Sequence, residues 1–247
     1  MPDVDRAVAG ILARVGHDPL YLTLLADLTT LRHRCRFALE EDGVLAVRYL
    51  DLPFAAISFY GHGNSLRAAL QSLLAPDEPC YALVGEAQYD QLQEVVALRH
   101  VDLEWQMVYR GDPAALASGD AVALSSADWP DMSALAERGG LFAFESSALE
   151  KGPYFGVRRA ERLAAMAGTH LKLDWLAEIG NVVTDPGYRR QGFAMMAVGA
   201  TVKALLGEGL MVLLQVFKSN AGAVALYQKL GLERLHTMYL VEFVARC

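Results

Sequence analysis

The stretch of chain that decides the fold reads Val182-Val183-Thr184-Asp185-Pro186-Gly187-Tyr188-Arg189-Arg190-Gln191-Gly192-Phe193-Ala194. A β-compatible run stops at a Pro-Gly turn, and two arginines and a glycine then precede an apolar helical segment. The N–H groups at a helix start are unpaired and lie at the positive end of the helix dipole, so they bind phosphate well. Gly192 would let the backbone approach a ligand closely, and Arg189 and Arg190 add positive charge. We therefore predict a pyrophosphate cradle in this stretch.

The segments around the cradle predict an alternation of strands and helices. The apolar composition after Gly192 predicts a helix that is mostly buried. Further on, Asn220 offers an N-cap for a second helix and Gly231 offers its stop. The predicted elements are a strand over 177–184, a helix over 192–206, a strand over 211–217, a helix over 221–230 and two final strands between 232 and 245.

The first half of the chain repeats this order of elements without repeating the residues. The predicted elements there are strands over 44–50, 55–60, 80–85 and 101–109, with helices over 65–74 and 89–98. Clusters of Gly, Pro, Asp and Ser interrupt the chain between the two halves. We therefore predict an internal duplication, with one domain over 1–120 and a second over 121–247.

A glycine-rich segment in the first half imitates a dinucleotide-binding fingerprint. It reads Gly61-His62-Gly63-Asn64, but Leu66 stands where the third glycine of that fingerprint belongs. No arginine accompanies it. We interpret the segment as a decayed cradle rather than a second coenzyme site, and a nucleotide-binding oxidoreductase half remains the alternative.

The charge of the chain is divided unevenly. The net charge is −7, which disfavours a nucleic-acid partner that is held through its phosphates. Residues 1–140 hold 10 Lys+Arg against 20 Asp+Glu, whereas residues 141–247 hold 12 against 9. Only the second part is therefore suited by charge to a small polyanionic ligand.

The start of the chain and its cysteines indicate a cytoplasmic protein. The first residues lack the basic start and apolar run of a signal peptide, and no uncharged stretch is long enough to span a membrane, so we expect no membrane partner. Cys35, Cys80 and Cys247 are widely spaced and odd in number, which argues against a disulfide framework and against a metal site.

Two motifs in the second half resemble those of the GNAT superfamily of N-acyltransferases. The first, Arg/Gln-x-x-Gly-x-Gly/Ala, is matched by Arg189, Gly192 and Ala194. The second is matched by Asn220 and by Leu226-Tyr227-Gln228-Lys229-Leu230-Gly231-Leu232, with leucine at a position where phenylalanine is commoner. The resemblance covers about 141–247. It implies an α/β fold with a mixed, twisted sheet flanked by helices, and acetyl-CoA or another acyl-CoA as cosubstrate.

A narrower similarity is to the glycine N-acyltransferase-like branch of that superfamily. It is carried by Gly152-Pro153-Tyr154-Phe155-Gly156-Val157, Ala167-Gly168-Thr169-His170 and Glu178-Ile179-Gly180-Asn181-Val182. In that branch a degenerate GNAT-like half precedes the active one. The similarity therefore implies the same tandem arrangement here.

The resemblance also implies which residues contact the coenzyme. The strand before the cradle splays from its neighbour in the superfamily, so the main chain at Val182, Val183 and Thr184 is expected to pair with the pantetheine arm. Asn220 is expected to contact the pantetheine amides, to cap its helix, or to do both. The residues expected around the pyrophosphate are Arg189, Arg190, Gln191, Gly192, Phe193 and Ala194.

Three residues are candidates for moving protons during acyl transfer. Glu178 interrupts an apolar strand where some GNAT enzymes keep a general base, although a solvent-facing glutamate or one paired with an arginine is equally compatible. His170 is the alternative base. Tyr227 stands where the family's tyrosine protonates the coenzyme A sulfur, and as a helix residue it is also compatible with a core role.

The predicted function is N-acyl transfer, with N-acetyl transfer favoured. The acyl group would move from acyl-CoA to the primary amine of a small molecule, an amino acid being favoured by the resemblance, through direct attack in a ternary complex. The alternative from another class is a non-catalytic acyl-CoA-binding regulatory protein, in which Glu178 and Tyr227 are structural.

Overall fold

The computed structural model describes residues 3–141 and 144–245 of the 247-residue chain. The chain forms two compact units, one of Met1–Trp105 with His236–Cys247 and the other of Gln106–Leu235. The divisions between the units fall inside two long strands, β5 (Val96–Tyr109) and β11 (Leu232–Ala245). The sequence-based division into 1–120 and 121–247 stays a prediction.

The first unit has four α-helices and four further strands among its described residues. The helices are α1 (Val4–Val15), α2 (Leu22–Leu28), α3 (Gly63–Leu73) and α4 (Glu86–Val95), and the strands are β1 (Cys35–Leu39), β2 (Leu45–Tyr49), β3 (Ala55–Tyr60) and β4 (Cys80–Gly85). Strands β1, β2 and β3 pair antiparallel in sequence order, and β3 pairs parallel with β4. Strand β4 pairs antiparallel with β11, where Met238 lies opposite Gly85.

The core of the first unit lies where α3 packs against this sheet. Phe59, Leu66, Leu70 and Phe243 are fully buried there. Burying a side chain of this size contributes about 1.5–3 kcal/mol. The β3–α3–β4 order is the one that the sequence predicted.

The second unit carries the segment that was predicted to bind a coenzyme. Its elements are β6 (Val122–Leu124), α5 (Trp129–Gly139), β7 (Tyr154–Arg159), β8 (Arg162–Lys172), β9 (Leu176–Thr184), α6 (Phe193–Gly207), β10 (Met211–Phe217) and α7 (Ala221–Lys229). Strands β6, β7, β8 and β9 pair antiparallel in sequence order, and β9 pairs parallel with β10. The mixed α/β fold with helices around a sheet is confirmed.

Helix α6 is buried on most of its surface, as its apolar composition predicted. Thr201 lies in its interior, where its hydroxyl donates to the carbonyl oxygens of Ala197 and Ala167 at 2.9 and 3.3 Å. A Cβ at Gly199 would lie 2.7 Å from the carbonyl oxygen of Ala117, so only glycine fits the close backbone approach at this point. The helix therefore has a fixed position under the sheet.

One predicted feature of the second half is wrong. A single strand, β11 (Leu232–Ala245), replaces the two strands that were predicted between 232 and 245. The stretch contains neither glycine nor proline, so nothing in its sequence forces a turn.

No helix within the described residues is long and apolar enough to cross a membrane. Cys35 and Cys80 are free thiols, and Cys247 lies outside the described residues.

Candidate active site

The parallel pair of strands β9 and β10 separates partway along its length. Their register runs from Leu176 opposite Met211 to Ile179 opposite Leu214, and no pair follows within the described residues although both strands continue. On its other edge, β9 stays paired with β8 as far as Thr184. One edge of β9 beyond Ile179 therefore offers backbone N–H and C=O groups to a ligand.

Asn181 lies where the two strands separate. It has a left-handed backbone (φ +52°), which is uncommon for a residue with a side chain. Its Nδ2 donates to the hydroxyl oxygen of Tyr154 at 2.6 Å, and that hydroxyl donates to the carbonyl oxygen of Thr169 at 3.2 Å. The sequence indicates no role for Asn181, because a left-handed residue within a strand cannot be recognised from residue types alone.

The turn after β9 is held by Asp185. Its carboxylate accepts hydrogen bonds from the backbone N–H of Gly187 at 3.0 Å and from Nε of Arg138 at 2.8 Å. The Arg138 side chain is the main cause of the lowered pKa of Asp185. The ionised carboxylate therefore fixes the Pro-Gly turn that leads to α6.

Helix α6 begins at a glycine with an open first turn. Gly192 is the N-cap, has φ +83°, and no described side chain caps the helix there. Arg190, two residues earlier, also has a left-handed backbone (φ +62°) and is exposed. An ideal Cβ at Gly192 would meet no described atom within 4 Å, so the glycine is required by its backbone conformation rather than by protein packing.

The remaining predicted coenzyme contacts fall into two groups. Arg189 and Gln191 are exposed beside the helix start, and Val182, Thr184 and Ala194 are half-buried. Val183 and Phe193 have buried side chains, so only their main chain is available to a ligand. The guanidinium of Arg159 stacks over the Phe193 ring at 4.2 Å and donates to Asp120 at 2.6 Å, which fixes the first residue of α6.

The two alternative bases, Glu178 and His170, lie next to each other. Nδ1 of His170 lies 3.0 Å from Oε2 of Glu178. The Glu178 side chain is 6% exposed and that of His170 is 50% exposed. The solvent-facing alternative for Glu178 is therefore wrong, and among the described residues its partner is a histidine on the neighbouring strand β8 rather than an arginine.

Tyr227 lies in α7 with its side chain almost wholly buried. Burial raises the pKa of Tyr227 to about 12, so the phenol keeps its proton at neutral pH. Its hydroxyl makes no hydrogen bond within the part of the chain that the structure describes. Tyr227 thus combines the packing of a core residue with an unused proton donor.

Asn220 caps helix α7, as its position in the sequence predicted. Its Oδ1 accepts a hydrogen bond from the backbone N–H of Ala223 at 3.1 Å. The side-chain NH2 group is left available for a ligand acceptor.

Sequence reasoning missed one polar atom in the separated strands. Gln215 lies in β10 just after its last pair with β9, and its Oε1 is buried without a hydrogen bond within the described chain. A buried acceptor without a donor costs about 1–3 kcal/mol. An orphaned acceptor beside an open strand edge fits a ligand that carries amide N–H groups, as the pantetheine arm of coenzyme A does.

The separated strands, the turn and the uncapped helix have the arrangement that the GNAT resemblance implied. Residues 121–232 match the model of the acetyltransferase (GNAT) family, and this part of the chain is a GNAT acetyltransferase domain. The chain is also 36% identical over 89 residues to the [ribosomal protein bS18]-alanine N-acetyltransferase of Escherichia coli K12. That match covers 36% of this chain and 60% of the relative's length.

Two solved structures resemble nearly the whole chain. One, from Novosphingobium aromaticivorans and assigned to the GNAT family, has a TM-score of 0.71 at 25% identity and covers 93% of this chain and 97% of its own. The other is a tandem GNAT protein from the clavulanic acid biosynthesis pathway, with a TM-score of 0.65 at 14% identity, covering 98% and 95%. The second likeness shows the fold alone.

The glycine-rich segment of the first unit forms the edge of a cavity of about 380 Å³. Gly61 has φ +105°, and a Cβ there would lie 2.6 Å from Cγ2 of Val44, so the turn needs glycine for packing. Helix α3 begins directly afterwards at Gly63. The interpretation of this segment as a decayed cradle stays a prediction.

Proposed function

We propose that the protein is an acyl-CoA-dependent N-acyltransferase, with acetyl-CoA as the favoured donor. The observation that carries the proposal is that β9 separates from β10 just before helix α6, whose N-cap is Gly192 and whose first turn has no side-chain cap. Such a site offers main-chain hydrogen bonds to an extended arm and helix N–H groups to a pyrophosphate. We also propose that residues 1–120 are a degenerate GNAT-like half.

Different residues would bind the pantetheine arm and the pyrophosphate of the coenzyme. The main chain of Val182 and Thr184 would pair with the pantetheine arm, and Asn220 with its amides. The N–H groups from Gly192 onwards would receive the pyrophosphate, with Arg189 and Arg190 adding charge. When bound, the coenzyme supplies an activated acyl thioester.

The chain's own side chains would manage the protons of the reaction. A primary amine must lose a proton to attack the thioester, and we assign its removal to Glu178, acting directly or through a linking group. Tyr227 would donate its proton to the leaving sulfur, since its phenol is protonated at neutral pH.

The acceptor is proposed to be a primary amine of a small molecule, with an amino acid favoured. A second candidate is an alanine amine of a protein, which the similarity to the bS18-alanine N-acetyltransferase favours. A panel of free amino acids, other small amines and alanine-starting peptides would separate the two, with free thiol measured as the product.

Binding and turnover are tested separately. Coenzyme A should raise the melting temperature while NAD and NADP should not, since a ligand that binds only the folded state stabilises it. Acetyl-CoA should be consumed in the presence of the true amine. Protection by coenzyme A without turnover of any acyl-CoA or amine would instead support the regulatory, non-catalytic alternative.

A further inference from the structure

Glu178 and His170 form a hydrogen-bonded pair in which one side chain is buried and the other is accessible to solvent. With only 6% of its side chain exposed, Glu178 is poorly placed to meet an amine that arrives from solvent. His170 has half of its side chain exposed and lies 3.0 Å from Glu178 through Nδ1. An incoming amine would therefore reach the imidazole first.

His170 also lies at the point where β9 and β10 separate. A Cβ at Gly180 would lie only 2.6 Å from Cβ of His170, so the histidine packs directly over this glycine. Gly180 is the first residue of β9 after its register with β10 ends at Ile179. The imidazole thus lies over the beginning of the strand edge to which the thioester arm is assigned.

An ionised Glu178 would select the useful form of the imidazole. A carboxylate accepts a hydrogen bond from Nδ1–H, and this fixes the tautomer in which Nε2 carries a free lone pair. The same carboxylate stabilises the imidazolium after Nε2 has taken a proton. Neither residue needs to move between the two states.

We propose that His170 is the catalytic base of the reaction and that Glu178 is the positioning residue that acts through it. The inference rests on the proposed acyltransferase function. The amine proton moves to Nε2 of His170 as the nitrogen lone pair forms a bond to the acyl carbon. The C–S bond breaks, and the sulfur takes its proton from Tyr227. The amide and free coenzyme A leave, the imidazolium returns its proton to water, and the phenolate of Tyr227 takes a proton back from water.

A double-mutant cycle tests the division of roles. We expect His170→Gln, which can still donate to Glu178, to lower kcat/KM by about a hundredfold or more. Glu178→Gln should also lower kcat/KM when His170 is present. When His170 is already replaced by glutamine, Glu178→Gln should lower kcat/KM little further, because the two residues act as one unit. A full additional loss in the double variant would show that Glu178 acts by itself and would overturn the proposal.

A spectroscopic measurement tests the pair without reference to catalysis. The 15N signals of the His170 ring in the wild-type protein should show a protonated Nδ1 and an unprotonated Nε2 when the ring is neutral. The opposite tautomer would contradict the proposed orientation.

His100→Gln is the matched control for the kinetic effect of His170→Gln, because His100 and Asp102 form another histidine–carboxylate contact of 3.0 Å in the first unit. It should leave kcat/KM unchanged.

The outcomes separate this inference from the function on which it rests. If the wild type turns over an amine and His170→Gln is equally active, the function stands and the assignment of His170 is wrong. If no acyl-CoA and amine react and coenzyme A gives no thermal protection, the proposed function itself fails, whatever tautomer the ring adopts.

Discussion

Replacing Gly192 by valine should abolish coenzyme A binding while leaving the protein folded. Any side chain at a backbone with φ +83° is strained, at a cost of about 1–2 kcal/mol. No described atom lies within 4 Å of the new Cβ, so no clash with the protein adds to that cost. For a domain of this size the loss corresponds to a melting temperature about 2–8 °C lower. The new side chain would project into the space that we assign to the pyrophosphate.

Gly209 offers a matched control for this strain. It has φ +78°, and an ideal Cβ there also meets no described atom within 4 Å. It follows the C-terminal end of the 15-residue helix α6, so it lies about 22 Å along the helix from Gly192. Gly209→Val should lower the melting temperature similarly and leave coenzyme A affinity unchanged in calorimetry. Wild-type affinity in a folded Gly192→Val variant would refute the cradle.

Three further variants test the remaining assignments. Tyr227→Phe should lower kcat with acyl-CoA affinity and melting temperature nearly unchanged, and a much lower melting temperature with normal turnover would make Tyr227 a core residue alone. Because burial raises its pKa from 10.0 to about 12, the neutral Tyr227 side chain stabilises the fold below pH 10, and this contribution is lost as the pH rises to 12. The free energy of unfolding, measured by chemical denaturation, should therefore fall less steeply with pH in Tyr227→Phe than in the wild type. Glu178→Gln should cut turnover about a hundredfold or more at similar acyl-CoA affinity, and unchanged turnover would exclude any role in proton transfer. Arg190→Gln should weaken coenzyme A binding and reduce the salt dependence of that binding, whereas Arg36→Gln in the first unit should change neither. Equal coenzyme A affinities of the two variants would show that Arg190 does not contact the coenzyme.

The elements around the cradle could be predicted because their signals are local. The Pro-Gly turn ends β9, the apolar composition after Gly192 gives a buried helix, and Asn220 caps α7 through its own side chain. Where the signal was less local, the bounds moved. The helix predicted over 89–98 is α4 (Glu86–Val95), because Gly85 serves as its N-cap and the apolar residues after Val95 continue as strand.

The proximity of Glu178 and His170 could not be predicted, because it depends on strand register. The pairing of β8 with β9 shifts twice, between Met166 and Gly168 and again between Thr169 and Leu171. Each shift changes which residues of the two strands face each other, and a one-residue change moves a side chain to the other face of the sheet. Two residues that the sequence offered as alternatives are therefore partners in the structure.

The coenzyme site and the acceptor site differ in how much of them the sequence can show. The proposed cradle is built mainly from backbone groups, and a backbone shape of this kind needs a glycine and a turn at fixed positions, such as Gly192 and Pro186. These leave a recognisable motif. The proposed proton acceptor of the acceptor site depends instead on side chains that converge from two strands, His170 on β8 and Glu178 on β9, and their spacing along the chain forms no such motif. The motif therefore predicts the class of cosubstrate, an acyl-CoA. The amine that accepts the acyl group has to be found by assay of the protein with an intact His170–Glu178 pair.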